Sequence, residues 1–143
     1  MAHPKIRQRI ILTGPPGSGK SSLLEALNQK GYSTFEEISR KIIRKEQASR
    51  SSYTPWQDVH RFCLNVFYHM KKEIQESLFI PLAFHDRGIP DLYALLDKSG
   101  YMLPRVMKNY PNHFVYSREV FVFPPWREIY THDPQRKESF QES

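Results

Sequence analysis

The sequence has one cysteine, Cys63, only six glycines in 143 residues, and no apolar run approaching a membrane span. A single thiol closes no intramolecular disulfide and builds no cysteine-rich metal site, which fits a reducing compartment. A spanning helix needs about 20 consecutive apolar residues. The first ten residues alternate charge and apolarity where a secretion signal would carry an apolar block. The six histidines are scattered, with His60 and His69 too far apart to meet on one helix face, so zinc is not expected. No internal repeat, low-complexity tract or linker divides the chain. Together these absences lead us to expect a single soluble, cytoplasmic domain over residues 1–143.

Acidic residues are also in deficit, 15 against 21 Lys and Arg, for a formal charge of +6. Such a balance favours polyanions, nucleotides and nucleic acids alike. A nucleic-acid interface should show a basic stripe interleaved with aromatics; none is present, and that reading is set aside.

What is present alternates strand and helix. Ile10-Ile11-Leu12 reads as a buried strand, and Leu23, Leu24 and Leu27 give a helix from about Gly19 to Lys30 that stops at Gly31. Tyr32 to Phe35 reads as a strand, followed by a helix carrying Ile38, Ile42 and Ile43. Gln47 to Thr54 is expected to be a mobile loop, and Pro55 to open a long helix with Val59, Phe62, Cys63, Val66, Phe67, Met70 and Ile74 inside. Phe79 to Phe84 is a further strand, interrupted by Pro81 and delivering His85-Asp86-Arg87-Gly88 as a polar turn. Short helices are expected at Pro90 to Lys98 and Pro104 to Asn109, and a fourth strand at Val120 to Phe123. This order predicts an α/β fold, a parallel sheet with helices on both faces. Gln135 to Ser143 reads as the opening of a helix, and further residues are expected beyond it.

The strongest local pattern is Gly14-Pro15-Pro16-Gly17-Ser18-Gly19-Lys20-Ser21, a phosphate loop of the Walker A type between a strand and a helix. Glycines let the backbone fold tightly around an anion. The helix beginning there adds unpaired N–H groups and its dipole, with Ser22 in its first turn. Lys20 supplies a cation for the outer phosphates of ATP or a related triphosphate, and Ser21 a hydroxyl for Mg²⁺.

In a parallel sheet, ligands bind beyond the C-terminal strand ends, where Glu36-Glu37 and Asp86-Arg87 fall. Asp86 has two readings, organiser of Mg²⁺ or proton acceptor on one hand and cap of the following helix on the other. Glu37 reads equally as an acceptor-facing carboxylate or a first-turn acid. Asp91 reads as a first-turn acid, and Arg87 as partner of a phosphate or of a neighbouring carboxylate. Trp126, Arg127, His132, Asp133 and Arg136 form a polar segment suited to closing over a triphosphate, with Arg136 the cation of that lid. Trp56 stands beside a polar loop, while most other aromatics fall at core spacing.

The phosphate loop with Thr13 before it, Glu37-x-x-Arg40, Pro55-Trp56-x-Asp58, Asp86-Arg87-Gly88-Ile89-Pro90-Asp91, Pro125-Trp126-x-x-Ile129-Tyr130 and Asp133-x-x-Arg136 together resemble the small AAA-type ATPase domains related to the ribosylnicotinamide kinase domain. The resemblance runs from about Arg9 to Phe140. It implies a P-loop kinase-like topology with the phosphate-loop strand central, a nucleotide-binding core, and a lid that includes Arg136. Two features depart from the pattern, His85 before Asp86 and the lack of a last strand and helix. Two functions are expected from these residues. One is an ATP-dependent phosphotransferase or ATPase in which Lys20, Asp86, Glu37 and Arg136 act on a small-molecule acceptor near Glu36, Glu37, Arg40 and Trp56. The other is a nucleotide-dependent switch that acts on a protein or lipid partner through the loop at Gln47 to Thr54.

Overall fold

The computed structural model describes residues 7–51 and 53–125. Four strands, β1 (Gln8–Thr13), β2 (Ser33–Phe35), β3 (Leu82–Asp86) and β4 (Val120–Val122), form one sheet in the order β2-β3-β1-β4. Every pairing is parallel. The phosphate-loop strand β1 therefore lies inside the sheet. Its register sets Leu12 beside Asp86, so β1 and β3 end together. Parallel neighbours need crossovers, and six helices supply them: α1 (Lys20–Gln29), α2 (Ile38–Ala48), α3 (Val59–Glu76), α4 (Ile89–Lys98), α5 (Arg105–Lys108) and α6 (Asn112–Val115).

Strand alternation divides the apolar residues between two faces. Ile10 and Leu12 pack with Leu24 of α1 and Phe84 in a smaller core. Ile11 joins the larger core, with Ile42 of α2, Phe62 and Phe67 of α3, and Leu92 and Leu96 of α4. The chain is thus a three-layer α/β fold with helices on both faces, the architecture of P-loop NTPases. Its buried Arg9 donates to the carbonyls of Val115 (3.0 Å) and Ser77 (3.5 Å), tying α6 and the end of α3 to β1. Among the described residues no helix is long and apolar enough to cross a membrane.

Several boundaries differ from the sequence expectation, each for a local reason. The long helix begins at Val59, not Pro55. Asp58 caps it by accepting from the Arg61 N–H at 3.0 Å, while Pro55 sits in a turn closed onto the Thr54 carbonyl. The third strand begins after Pro81, whose carbonyl accepts from the Gln8 N–H (2.8 Å), and continues through His85 and Asp86. Gln47 and Ala48, expected in a loop, extend α2, which closes at Ser49 with its N–H on the Lys45 carbonyl at 3.1 Å. The short α6 was not foreseen; Asn112 is anchored by donating to the Tyr93 hydroxyl at 2.7 Å.

Gly88 lets α4 start against the sheet, since a Cβ there would lie 2.4 Å from Ile11 Cδ1. Phe67 in the larger core is fully buried. Phe67→Ala is expected to lower unfolding free energy by about 3–5 kcal/mol. Denaturant titration measures this, and a loss below about 1 kcal/mol would place Phe67 outside the core.

Candidate functional site

The loop after β1 needs glycine at specific points. Gly14, Gly17 and Gly19 all hold positive φ, at 142°, 71° and 97°. At Gly14 there is also no room, because a Cβ would lie 2.5 Å from the carbonyl oxygen of Phe123. The segment after β4 is pressed onto the loop there, its Phe123 N–H bonded to the Thr13 carbonyl at 2.9 Å. Helix α1 then starts with Gly19 at its cap, no side-chain cap bond and no acid in its first turn. Its N-terminal N–H groups and dipole are thus left for an anion. Ser21 and Ser22 are exposed in that turn, whereas Ser18 and Lys20 are buried.

Lys20 turns back into the loop that precedes it. Its ammonium donates to the carbonyls of Gly14 (3.0 Å) and Pro15 (2.8 Å) and to the Ser18 hydroxyl (3.2 Å). Burial, then the charge of Arg87, pull its pKa down to about 8 against the attraction of Asp86, Glu37 and Asp91.

Asp86, at the end of β3, meets the loop from the neighbouring strand. Its Oδ2 accepts from the Ser21 hydroxyl at 3.4 Å, and its buried Oδ1 has no hydrogen-bond partner among the described residues. Burial first, and the charge of Glu37 second, push its pKa up to about 6, opposed by Lys20, Arg87 and Arg40. An orphaned carboxylate oxygen beside a hydroxyl fits a hard divalent cation. Among the described residues no cluster of three or more His, Cys, Asp or Glu could cage a metal. The donor set therefore suits an ion that completes its shell with water and phosphate, as Mg²⁺ does. Asp86 does not cap α4. Gly88 occupies that cap, and Asp91 accepts from the Gly88 N–H at 2.8 Å.

A chain of charges links the two acidic turns. Arg87, at φ 66°, reaches Glu37 Oε1 with Nε (3.3 Å) and Asp91 Oδ1 with a terminal nitrogen (3.6 Å). Asp91 also accepts from the Thr13 hydroxyl. Glu37 stands at the N-cap of α2 but makes no side-chain cap bond, its carboxylate turned to Arg87. Sequence reasoning missed the Thr13–Asp91 tie. The acid three residues beyond Gly88 signals a cap, but nothing in its spacing shows that the same carboxylate closes on the strand preceding the phosphate loop.

Two cavities meet at Glu37. One, of about 740 Å³, begins at Ser21 and Asp86 and runs past Phe35 to Arg40 and Arg44. The other, of about 420 Å³, lies against Pro16 and is walled by Trp56, Phe62 and Leu92, with Arg87 and Asp91 at its polar end. The single cleft expected around Glu36, Glu37, Arg40 and Trp56 is therefore divided. No described residue from Gln47 to Thr54 lines the larger cavity. His85 belongs to neither site cavity, with Nδ1 3.3 Å from Glu73 and its ring stacked on Phe35. Trp126, Arg127, His132, Asp133 and the lid candidate Arg136 lie outside the described residues.

A family model described as an AAA domain matches residues 9–143. No curated protein and no solved structure matches the chain. The family match covers nearly the whole sequence, and the chain belongs to this AAA domain family, as a P-loop nucleotide-binding protein.

The raised pKa of Asp86 has a definite sign for stability. As pH rises from its ordinary 3.8 to about 6, the unfolded chain loses this proton before the folded one, so stability falls across that window and stays lower above it. Asp86→Asn should therefore stabilise the ligand-free protein at pH 7, on the order of 3 kcal/mol, and flatten the profile between pH 4 and 6. Thermal unfolding against pH tests this; a variant less stable than native at pH 7 would contradict it.

Proposed function

We propose that this chain is an ATP- and Mg²⁺-dependent phosphotransferase that passes the γ-phosphoryl group to a small-molecule hydroxyl. The observation carrying this reading is the room beyond the loop: a cavity of about 740 Å³ that opens at Ser21 and Asp86 meets a second, of about 420 Å³, at Glu37. Hydrolysis alone needs space for one water beside the nucleotide. The resemblance of the ordered motifs to kinase-like P-loop domains supports the same reading.

In this account the backbone from Gly14 through Pro15, Pro16, Gly17, Ser18 and Gly19 wraps the phosphates, with the first turn of α1 at Ser21 and Ser22 behind it. Lys20 exchanges the carbonyls of Gly14 and Pro15 for phosphate oxygens, so its charge is already inside the site when the nucleotide arrives. Ser21 and Asp86 would hold Mg²⁺, which would supply charge neutralisation at the phosphates. Glu37, fixed by Arg87, receives the proton of the acceptor hydroxyl. Arg136 supplies the cation that balances charge on the group in transit.

Glu37→Gln keeps the size of the side chain but removes its basicity. Turnover is expected to fall by about 10²- to 10⁴-fold, with nucleotide affinity essentially unchanged. Labelled ATP offered with a mixed panel of hydroxyl compounds, followed by calorimetry on the variant, measures both. ATP hydrolysis that no acceptor alters, and that Glu37→Gln leaves intact, would rule out this reading.

A further inference from the structure

We infer that the cavity walled by Trp56 receives the ring of the acceptor, and that the acceptor is a compact, ring-bearing alcohol without a phosphate or carboxylate group. This rests on the phosphotransferase reading and adds the acceptor class to it. The volume, about 420 Å³, lies within the range of about 300–1,000 Å³ typical of small-molecule sites. Its position is also suitable. Pro16 places one wall on the phosphate loop itself, and Glu37 is shared with the larger cavity, so a ring seated here presents a substituent to Glu37 beside Asp86.

The lining selects the chemistry. Ile43, Phe62, Met70 and Leu92 are buried apolar residues, and Trp56 adds an aromatic surface that is only half-buried. That surface is held in place: the turn beneath it closes with the Gln57 and Asp58 N–H groups on the Thr54 carbonyl, at 3.2 and 3.0 Å, and Thr54 itself is buried. A flat ring packs on such a wall by area and by offset or edge-to-face geometry.

The polar end opposes an anion. Arg87 is engaged by Glu37 and Asp91, and Asp91 by Thr13 and the Gly88 N–H. Two carboxylates face Arg87, and Lys98 stands at the rim, so the lining carries no surplus positive charge. A phosphate or carboxylate entering here would lose hydration and meet Glu37 and Asp91. A neutral hydroxyl loses little and finds an acceptor in Glu37.

The test uses the full chain saturated with Mg²⁺ and a non-hydrolysable ATP analogue. Adenosine, uridine and pyridoxine are titrated calorimetrically, each beside its 5′-phosphate, and the series is repeated without the analogue. At least one unphosphorylated compound should bind, with its phosphate ester about tenfold or more weaker. Trp56→Ala should weaken that binding about tenfold and Trp56→Phe by no more than about threefold, because the phenyl ring keeps most of the wall. Unchanged analogue affinity in both variants shows that they are folded. The inference falls if none of the three compounds binds, if the esters bind equally well, or if Trp56→Ala changes nothing. Failure of the analogue to bind the native chain, with ring compounds still binding in its absence, would instead overturn the nucleotide reading and leave this pocket standing.

Discussion

The buried ammonium of Lys20 is the constraint to which the rest of the site answers. An ion taken from water into a protein interior costs several kcal/mol unless its surroundings replace the lost hydration. Here three oxygens of its own loop do so, and the loop must curl back far enough to present them. That curl demands positive φ at Gly14, Gly17 and Gly19 and leaves no space for a side chain at Gly14. The carboxylates that moderate the lysine's charge come from the end of β3 (Asp86), the first turn of α4 (Asp91) and the turn after β2 (Glu37), which the parallel β1–β3 and β2–β3 pairs bring to one edge. Sheet order, loop sequence and site electrostatics thus follow from placing one cation where phosphates can reach it.

Much of this was legible in the sequence because it is local. The phosphate loop has a fixed spacing, Ile10 to Leu12 announce a buried strand, and the seven apolar positions from Val59 to Ile74 keep helical period throughout α3. The boundaries that shifted did so through single long-range or capping bonds, such as Asp58 on the Arg61 N–H and the Pro81 carbonyl on Gln8. The site was legible as a set of residue types, not as an arrangement. Glu37 had an equally good local role, Asp91 read as a first-turn acid and Arg87 as partner of a phosphate or a carboxylate, and only the fold shows that one guanidinium ties both carboxylates together, with Asp91 continuing to Thr13. No sequence rule separates Trp56 from Arg40, yet the structure places them in different cavities.

Placing charge where ligands will come has a cost in the ligand-free protein. Asp86 keeps one buried oxygen without a partner among the described residues, and Arg87 holds a backbone conformation that L-residues adopt infrequently. Both sit where β3 ends, beside the phosphate loop and the two cavities that meet at Glu37. Elsewhere the buried polar groups are mostly tied: Arg9 reaches two carbonyls, and the Tyr116 hydroxyl accepts from the Ile89 N–H. Two other buried atoms among the described residues also lack a partner, His85 Nε2 and Asn112 Oδ1, and Arg50 also holds positive φ, so what marks the site is that two such costs fall on adjacent residues at one strand end.

Everything proposed for this site requires that the loop from Gly14 to Ser21 grip a triphosphate through Lys20. Calorimetric titration of Mg²⁺ with a non-hydrolysable ATP analogue into the native chain and into Lys20→Ala tests it directly. Saturable binding to the native protein is expected, with a loss on the order of a hundredfold or more in the variant, the scale for truncating one partner of a desolvated charge pair. Equal affinities would contradict it.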